Sequence, residues 1–297
     1  MTEKQPWHGV VVATSVPMNS DCEVNLDAYR KKVAWLAEKG CDGVTPNGSL
    51  GEYHTLTFAE RDALVEAAVE AAPEGFSVVP GVGAYGSAEA KRHTQQAKDA
   101  GAGAVMSLPP NGFPADERAI LAHYEAVASV GIPVVAYNNP ITTKIDMKPA
   151  LLAKLHEEGL IVAIKENSND VRRCWEISEL APELDILIGA DDLLLEVALA
   201  GAKGWISGYP QVFPESCTTL YQAALAGDLE TALPLYRQLH PVLRWDSNTN
   251  FIQAIKLSAG MVGPDEGPSR PPLLPLSASD EATLRAAMKA CIAAGMK

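Results

Sequence analysis

Lys165 ends the apolar run Leu160-Ile161-Val162-Ala163-Ile164 and is followed by the polar stretch Glu166-Asn167-Ser168-Asn169-Asp170. Lysine is among the residues least often fully buried. At the end of a buried strand it is either a rim charge that snorkels to water or pairs with a carboxylate, or a nucleophile. Desolvation favours a neutral amine, and a neutral amine adds to a carbonyl carbon to form a Schiff base. Tyr137 closes the preceding apolar run, Pro133 to Ala136. On a neighbouring strand its phenol could carry protons during formation and breakdown of such an adduct. Taken alone it reads as a packed rim aromatic.

Gly48-Ser49-Leu50-Gly51-Glu52 is a tight loop at another strand end. Its glycines let backbone approach a ligand, its N–H groups could hold a carboxylate, and Ser49 adds a hydroxyl. Most glycine-rich turns are only turns. The stretch "GVGAYG", with Gly81, Gly83 and Gly86, fits the spacing of a dinucleotide loop. It follows the third strand, however, and no acidic partner ends a following strand about twenty residues on, so a βα turn suffices. Asp191 and Asp192 begin a helix, where N-capping is expected. The six histidines show no metal-ligand spacing, and no G-x-S-x-G or P-loop is present. Five dispersed cysteines without a C-x-x-C pair argue against a disulfide framework or a zinc site.

These residues need elements to position them. Helical stretches end at Gly40, Gly75, Gly101, Gly131, Gly159 and Gly201, and an apolar strand follows each. The four from Gly75 to Gly159 are separated by 26, 30 and 28 residues, which suits a strand–helix unit of a parallel sheet. Apolar strands are expected near 9–14, 43–46, 77–81, 103–107, 133–137, 160–164, 185–189 and 204–207. Thr57-x-x-Glu60 marks a capping box. Eight such units predict an α/β fold, a (β/α)8 TIM barrel over residues 1–225; a doubly wound open sheet is the alternative. Residues 226–297 read as a C-terminal helical extension. Catalytic groups of a barrel sit at strand C-termini, which is where Lys165 and Tyr137 fall.

Composition narrows the partners. The 297 residues are 47% hydrophobic and 21% charged, enough for a large core. A net charge of −13 with no basic stripe excludes a nucleic-acid binder. No run approaches the roughly 18 apolar residues of a membrane helix, and the first residues hold no adequate leader, so a cytoplasmic protein is expected.

Taken together, "GSLGE", "VVAYNNP", "IVAIKENSND", "GADDLLLE" and "GWISG" resemble, in order and over nearly the whole chain, the dihydrodipicolinate synthase and N-acetylneuraminate lyase family. The resemblance implies a (β/α)8 barrel with a C-terminal helical extension and a lyase that needs no metal or organic cofactor. It implies that Lys165 forms an imine with pyruvate or another 2-oxo acid and that Tyr137 transfers protons. Ser49 and the Leu50 N–H would bind the substrate carboxylate, Gly48 would shape the loop, and the Ile206 carbonyl would help position the substrate. A homo-oligomer, tetramer or dimer, is implied as well. The chain departs from the enzymes of lysine biosynthesis in three places. Thr142 stands where they carry an arginine, and is counted here with the substrate-binding residues. Leu108-Pro109-Pro110-Asn111 replaces a stretch with a tyrosine lent by a neighbouring subunit. Leu50 replaces the loop's second threonine, and the loop runs on into Tyr53 and His54. The expected activity is therefore cleavage or condensation, dehydration or deamination of a 2-oxo-3-deoxy acid or a hydroxypyrroline carboxylate. The alternatives are dihydrodipicolinate synthase proper and a barrel that binds a 2-oxo or sugar acid without turnover. Lys144 is read as a solvated rim charge rather than a second anion site.

Overall fold

The computed structural model describes residues 4–297; residues 1–3, part of the stretch searched for a leader, lie outside them. Eight parallel strands alternate with helices: β1 (Gly9–Ala13), α1 (Leu26–Glu38), β2 (Gly43–Thr45), α2 (Phe58–Ala71), β3 (Ser77–Val78), α3 (Ser87–Asp99), β4 (Val105–Ser107) and α4 (Glu117–Ala128). There follow β5 (Val134–Asn138), the short α5 (Pro140–Thr143), α6 (Pro149–Glu157), β6 (Ala163–Glu166), α7 (Arg172–Leu180), β7 (Asp185–Ile188), α8 (Leu194–Leu199), β8 (Gly204–Ser207) and α9 (Pro214–Leu225). The strand order β3-β2-β1-β8-β7-β6-β5-β4 leaves β3 and β4 at the two ends. They meet through the parallel bridge Gly81–Met106, with Met106 N–H donating to the Pro80 carbonyl at 2.8 Å and Val82 N–H to Met106 at 2.9 Å. The sheet thus closes into the expected (β/α)8 barrel.

All six helix-stopping glycines read from the sequence have a positive φ, between 71° and 96°. Without a Cβ that conformation carries no steric cost, so the chain reverses sharply into the next strand. Thr57 and Glu60 form both halves of the capping box that opens α2. Along each strand the side chains alternate between two apolar layers. Val11, Ala13, Met106, Val135, Tyr137, Ala163, Leu187 and Ile206 fill the barrel interior, while Val10, Val12, Val134, Ile164 and Ile186 pack outward against the helices. Burial on both faces explains the continuous apolar runs. Each buried aliphatic contributes roughly 1.5–3 kcal/mol.

Three helices follow the barrel: α10 (Leu229–Leu243), α11 (Phe251–Val262) and α12 (Ala278–Ala293). Their buried faces, among them Leu239, Ile255 and Met288, belong to the same apolar cluster as the outer barrel layer. Two polar ties fix this tail over the C-terminal mouth of the barrel. Tyr236 on α10 donates to the Asp192 carbonyl, and Ser247 Oγ to Asp192 Oδ1 at 2.6 Å. Glu52, fully buried, accepts from Lys256 Nζ at 3.3 Å and from Arg270 N–H at 2.7 Å. The last residue of the "GSLGE" motif is therefore a tether to the tail and faces away from the barrel mouth. Its φ of +54° turns the chain in that direction. All five cysteines are free thiols. Among the described residues no helix is long and apolar enough to cross a membrane.

Candidate active site

Strands β5 and β6 pair so that Tyr137 lies beside Lys165 and Asn138 beside Glu166. The two-residue period of a strand sends Tyr137 and Lys165 inward and Asn138 and Glu166 outward. The outward pair locks the connection: Asn138 Nδ2 donates to Glu166 Oε2 at 3.1 Å, and the Ser168 N–H to Glu166 Oε1 at 2.7 Å. Lys165 lies within β6 rather than just after it, and is 6% exposed. Among the described residues its Nζ makes no hydrogen bond or ion pair; it sits 4.2 Å from the centre of the Tyr137 ring. A buried amine with no committed partner is free to react.

A cavity of about 140 Å³ opens above this pair. Gly48, Ser49 and Leu50 form one wall, Tyr137, Lys165 and Met106 the floor, and Thr142 and Asn167 another wall. The tail closes the cavity with Asp246, Ser247, Asn248, Thr249 and Phe251. Ser49 and Leu50 direct no N–H into an intramolecular hydrogen bond among the described residues. The loop that carries them is held from both ends, by Asn47, whose side chain donates to the Arg61 carbonyl at 2.9 Å, and by Glu52. Asn47 and Glu52 both have left-handed backbones, φ +57° and +54°. Strain of this kind persists where surrounding structure over-determines it, typically at ligand clamps.

Of the residues singled out in the sequence, Lys165, Tyr137, Gly48, Ser49, Leu50 and Thr142 converge on this cavity. Ile206 is fully buried in the layer beneath, and Gly208, two residues on, reaches the wall. Lys144 is exposed and donates to the Ile141 carbonyl, as a rim charge would. Gly81 and Gly83 of the "GVGAYG" stretch are packed rather than open. A Cβ on Gly81 would stand 2.3 Å from the Asn47 carbonyl oxygen, and the Gly81 and Gly83 carbonyls both accept from Arg61 at 3.1 Å. Asn111 Nδ2 donates to the Tyr53 hydroxyl at 2.9 Å, and Tyr53 lies under the Arg61 guanidinium.

The capping role expected of Asp191 is corrected. Its side chain is fully buried, accepts from Trp205 Nε1 at 2.9 Å, and makes no cap bond. It is held against the Trp205 indole, which packs in the outer layer of the barrel. Asp246, which the sequence reading did not single out, comes from the connection between α10 and α11 and lines the cavity that holds Lys165. Burial pushes the Asp191 carboxyl well above the usual carboxylate range, and the Asp246 charge pushes it further, against the Trp205 hydrogen bond and the Lys165 charge. Burial likewise pushes Asp246 up to about 6, with Lys165 pulling the other way.

An acid raised in the fold binds more protons folded than unfolded, so stability falls as pH rises from about 4 to about 6 and stays lower above. Asp246→Asn removes that loss. Its melting temperature is expected to exceed that of the native protein by more at pH about 8 than at pH about 4.5. Equal shifts at both pH values in calorimetry would contradict the assignment.

The chain matches the dihydrodipicolinate synthetase family over residues 6–291. It belongs to that family. A 4-hydroxy-tetrahydrodipicolinate synthase of Methanospirillum hungatei is 34% identical over 284 residues, 93% of this chain and 96% of the relative. Among solved structures, dihydrodipicolinate synthase from Aquifex aeolicus superposes with a TM-score of 0.91 at 30% identity, covering 95% of this chain and 97% of the other. The prophage protein YagE from E. coli K12, a member of the family in complex with pyruvate, does so at 0.90 and 26%, covering 96% and 98%. The lyase class read from the motifs agrees with this membership.

Proposed function

We propose that the protein is a Schiff-base lyase that cleaves or dehydrates a hydroxylated 2-oxo acid, with Lys165 as the nucleophile. The observation that carries this reading is an amine that, among the described residues, has no hydrogen-bond partner, beside the Tyr137 ring in a cavity also lined by Ser49 and Leu50, whose N–H groups are uncommitted among those residues. The pyruvate complex of YagE supports a 2-oxo acid as the group held there.

The neutral amine adds to C2 of the 2-oxo acid, and one nitrogen proton passes to the former carbonyl oxygen through Tyr137, giving a carbinolamine. Tyr137 then gives its own proton to that hydroxyl as the C2–O bond breaks, so water leaves and an iminium remains on Lys165. The carboxylate of the substrate is held by the loop N–H groups, fixed donors whose effect is larger in a water-poor site. The iminium accepts the electron pair of a broken C3–C4 or C3–H bond. Asp246, which lines the same cavity, offsets its charge, and both it and Asp191 ionise more readily when the nitrogen is cationic.

The far wall indicates the rest of the substrate. Asn139, Thr142, Asn167, Asp246, Ser247 and Asn248 supply hydrogen-bonding groups, and among the lining residues Lys165 is the sole cation. A second carboxylate would find no charge to pair with, whereas hydroxyl groups would find donors and acceptors. Condensation of pyruvate with aspartate semialdehyde is the second reading, favoured by the printed name of the Methanospirillum relative and opposed by Thr142. We further propose a cytoplasmic homo-oligomer; the exposed Tyr85, Phe113 and Trp175 offer apolar contact surface, and free thiols suit a reducing compartment.

Incubation with 2-oxo-3-deoxy sugar acids, hydroxypyrroline carboxylates, and pyruvate plus aspartate semialdehyde, followed by proton NMR, tests the choice. The expected result is consumption of a hydroxylated 2-oxo acid, faster than any reaction of aspartate semialdehyde. The reverse order would favour the second reading.

A further inference from the structure

The oxygen of Tyr137 receives two hydrogen bonds from amides. Asn139 Nδ2 donates to it at 3.0 Å and Asn167 Nδ2 at 3.3 Å. The direction of the first bond is fixed by a third group. Asn139 Oδ1 accepts from the Thr142 N–H at 3.2 Å, capping α5, so the NH₂ end of the amide has to face the phenol. Asn139 is 6% exposed and Tyr137 4%. A phenol oxygen has about two acceptor positions and one hydrogen. With both positions taken by N–H donors, its own hydrogen is left for the cavity that Tyr137 and Lys165 both line.

We infer that Asn139 and Asn167 are positioning residues for proton transfer: they aim the Tyr137 hydroxyl hydrogen at the reacting atoms and hold the oxygen once that proton is gone. The inference rests on the Schiff-base reading above. When the carbinolamine loses water, the proton leaves Tyr137 with the departing oxygen and the phenolate is met by two N–H groups already in place. Donors that need no reorganisation stabilise the charge as it forms. The phenolate then takes a proton from C3 of the iminium; the C–H electron pair becomes the C2–C3 double bond of an enamine, and the C=N pair returns to nitrogen. Thr142 participates through its main chain, as the donor that sets which end of the Asn139 amide faces Tyr137.

Two substitutions separate this role from simple helix capping. Asn139→Asp keeps an oxygen for the Thr142 N–H, because aspartate caps as well as asparagine. It also replaces the donor to the phenol by an acceptor, which turns the Tyr137 hydrogen away from the cavity. Asn139→Ala removes the cap and the donor, yet leaves Asn167 in place and the hydrogen free to face the cavity. The probe is pyruvate alone in D₂O. Exchange of its methyl protons, followed by NMR over a range of pyruvate concentrations, reports iminium and enamine formation without a second substrate.

Asn139→Asp is expected to lower the maximal exchange rate by ~10²-fold, with half-saturation by pyruvate little changed and the melting temperature retained. Asn139→Ala should fall by ~10-fold, the size of one lost hydrogen bond, and melt lower. Asn167→Ala should also lose ~10-fold in rate while keeping the cap. Native-like exchange in Asn139→Asp, with Asn139→Ala the slowest variant, would reduce Asn139 to a cap and overturn the inference. No exchange by the native protein would overturn the Schiff-base reading itself, and the inference with it.

Discussion

Lys165→Ala is expected to bring turnover of every 2-oxo acid down to background and to leave the fold intact. Loss of a covalent nucleophile removes a path rather than a contact; the best-measured case costs on the order of 10⁶ in kcat. The fold should survive because Lys165 Nζ makes no hydrogen bond or ion pair among the described residues, so no partner is stranded. Its neighbours Asp191 and Asp246 lose a favourable charge and hold their protons more firmly, which a buried acid does readily. Steady-state assay and circular dichroism check the two halves. A folded Lys165→Ala protein that still turned over substrate would show that another group attacks the carbonyl.

Tyr137→Phe has the second largest expected effect. The ring, its packing in the barrel interior and its face toward Lys165 are all kept. Only the hydroxyl is lost, and with it the group that carries protons to and from the carbinolamine. General acid–base catalysis by one positioned side chain contributes typically about 10²- to 10⁴-fold, and kcat should fall in that range. Half-saturation by pyruvate should change little, since the carboxylate is held by the loop at Ser49 and Leu50. The Asn139 and Asn167 amides lose an acceptor, at a cost of about 1–3 kcal/mol for the buried Asn139, which leaves the protein folded. A kcat within about threefold of the native value would assign proton transfer elsewhere, with Asp246 the next group to vary.

Much of this site can be read from the sequence, for reasons that can be named. Lys165 and Tyr137 end apolar runs, and parallel strands buried on both faces make such runs visible. The six helix-ending glycines mark the repeat because only the left-handed conformation closes each turn. The motif letters around Ser49 are visible for the same local reason. Directions are harder to read than positions. Glu52 belongs to the motif by sequence, but two left-handed residues swing it into the tail, where Lys256 and Arg270 hold it. Asp191 obeys the local preference for an acid at a helix start, while its burial beside Trp205 depends on how β7 and β8 pack. Asp246 carries no local signal at all. It enters the cavity of Lys165 because the segment after α10 closes over that cavity, bringing together parts far apart in the chain. Asn139 belongs to a recognisable motif, yet its role depends on which end of its amide faces the phenol. The Thr142 N–H settles that in three dimensions.

These cases share a physical cause. Apolar periodicity and turn conformations are set by a few neighbouring residues, so they survive in the sequence as patterns. The polarity of a site is set by groups that converge from separate elements, and the convergence is a property of the closed barrel and its tail. The walls that sort substrates, Thr142 and Asn167 on one side and Asp246 to Asn248 on the other, are of this second kind.

The central claim is that Lys165 forms a covalent imine with a 2-oxo acid. Borohydride reduction in the presence of pyruvate, followed by proteolysis and peptide mass mapping, tests it most directly. The expected result is one stable adduct per chain, carried by the peptide that contains Lys165 and absent from Lys165→Ala. An unmodified Lys165 with pyruvate and with the panel of 2-oxo acids, or an adduct on a different lysine, would contradict it.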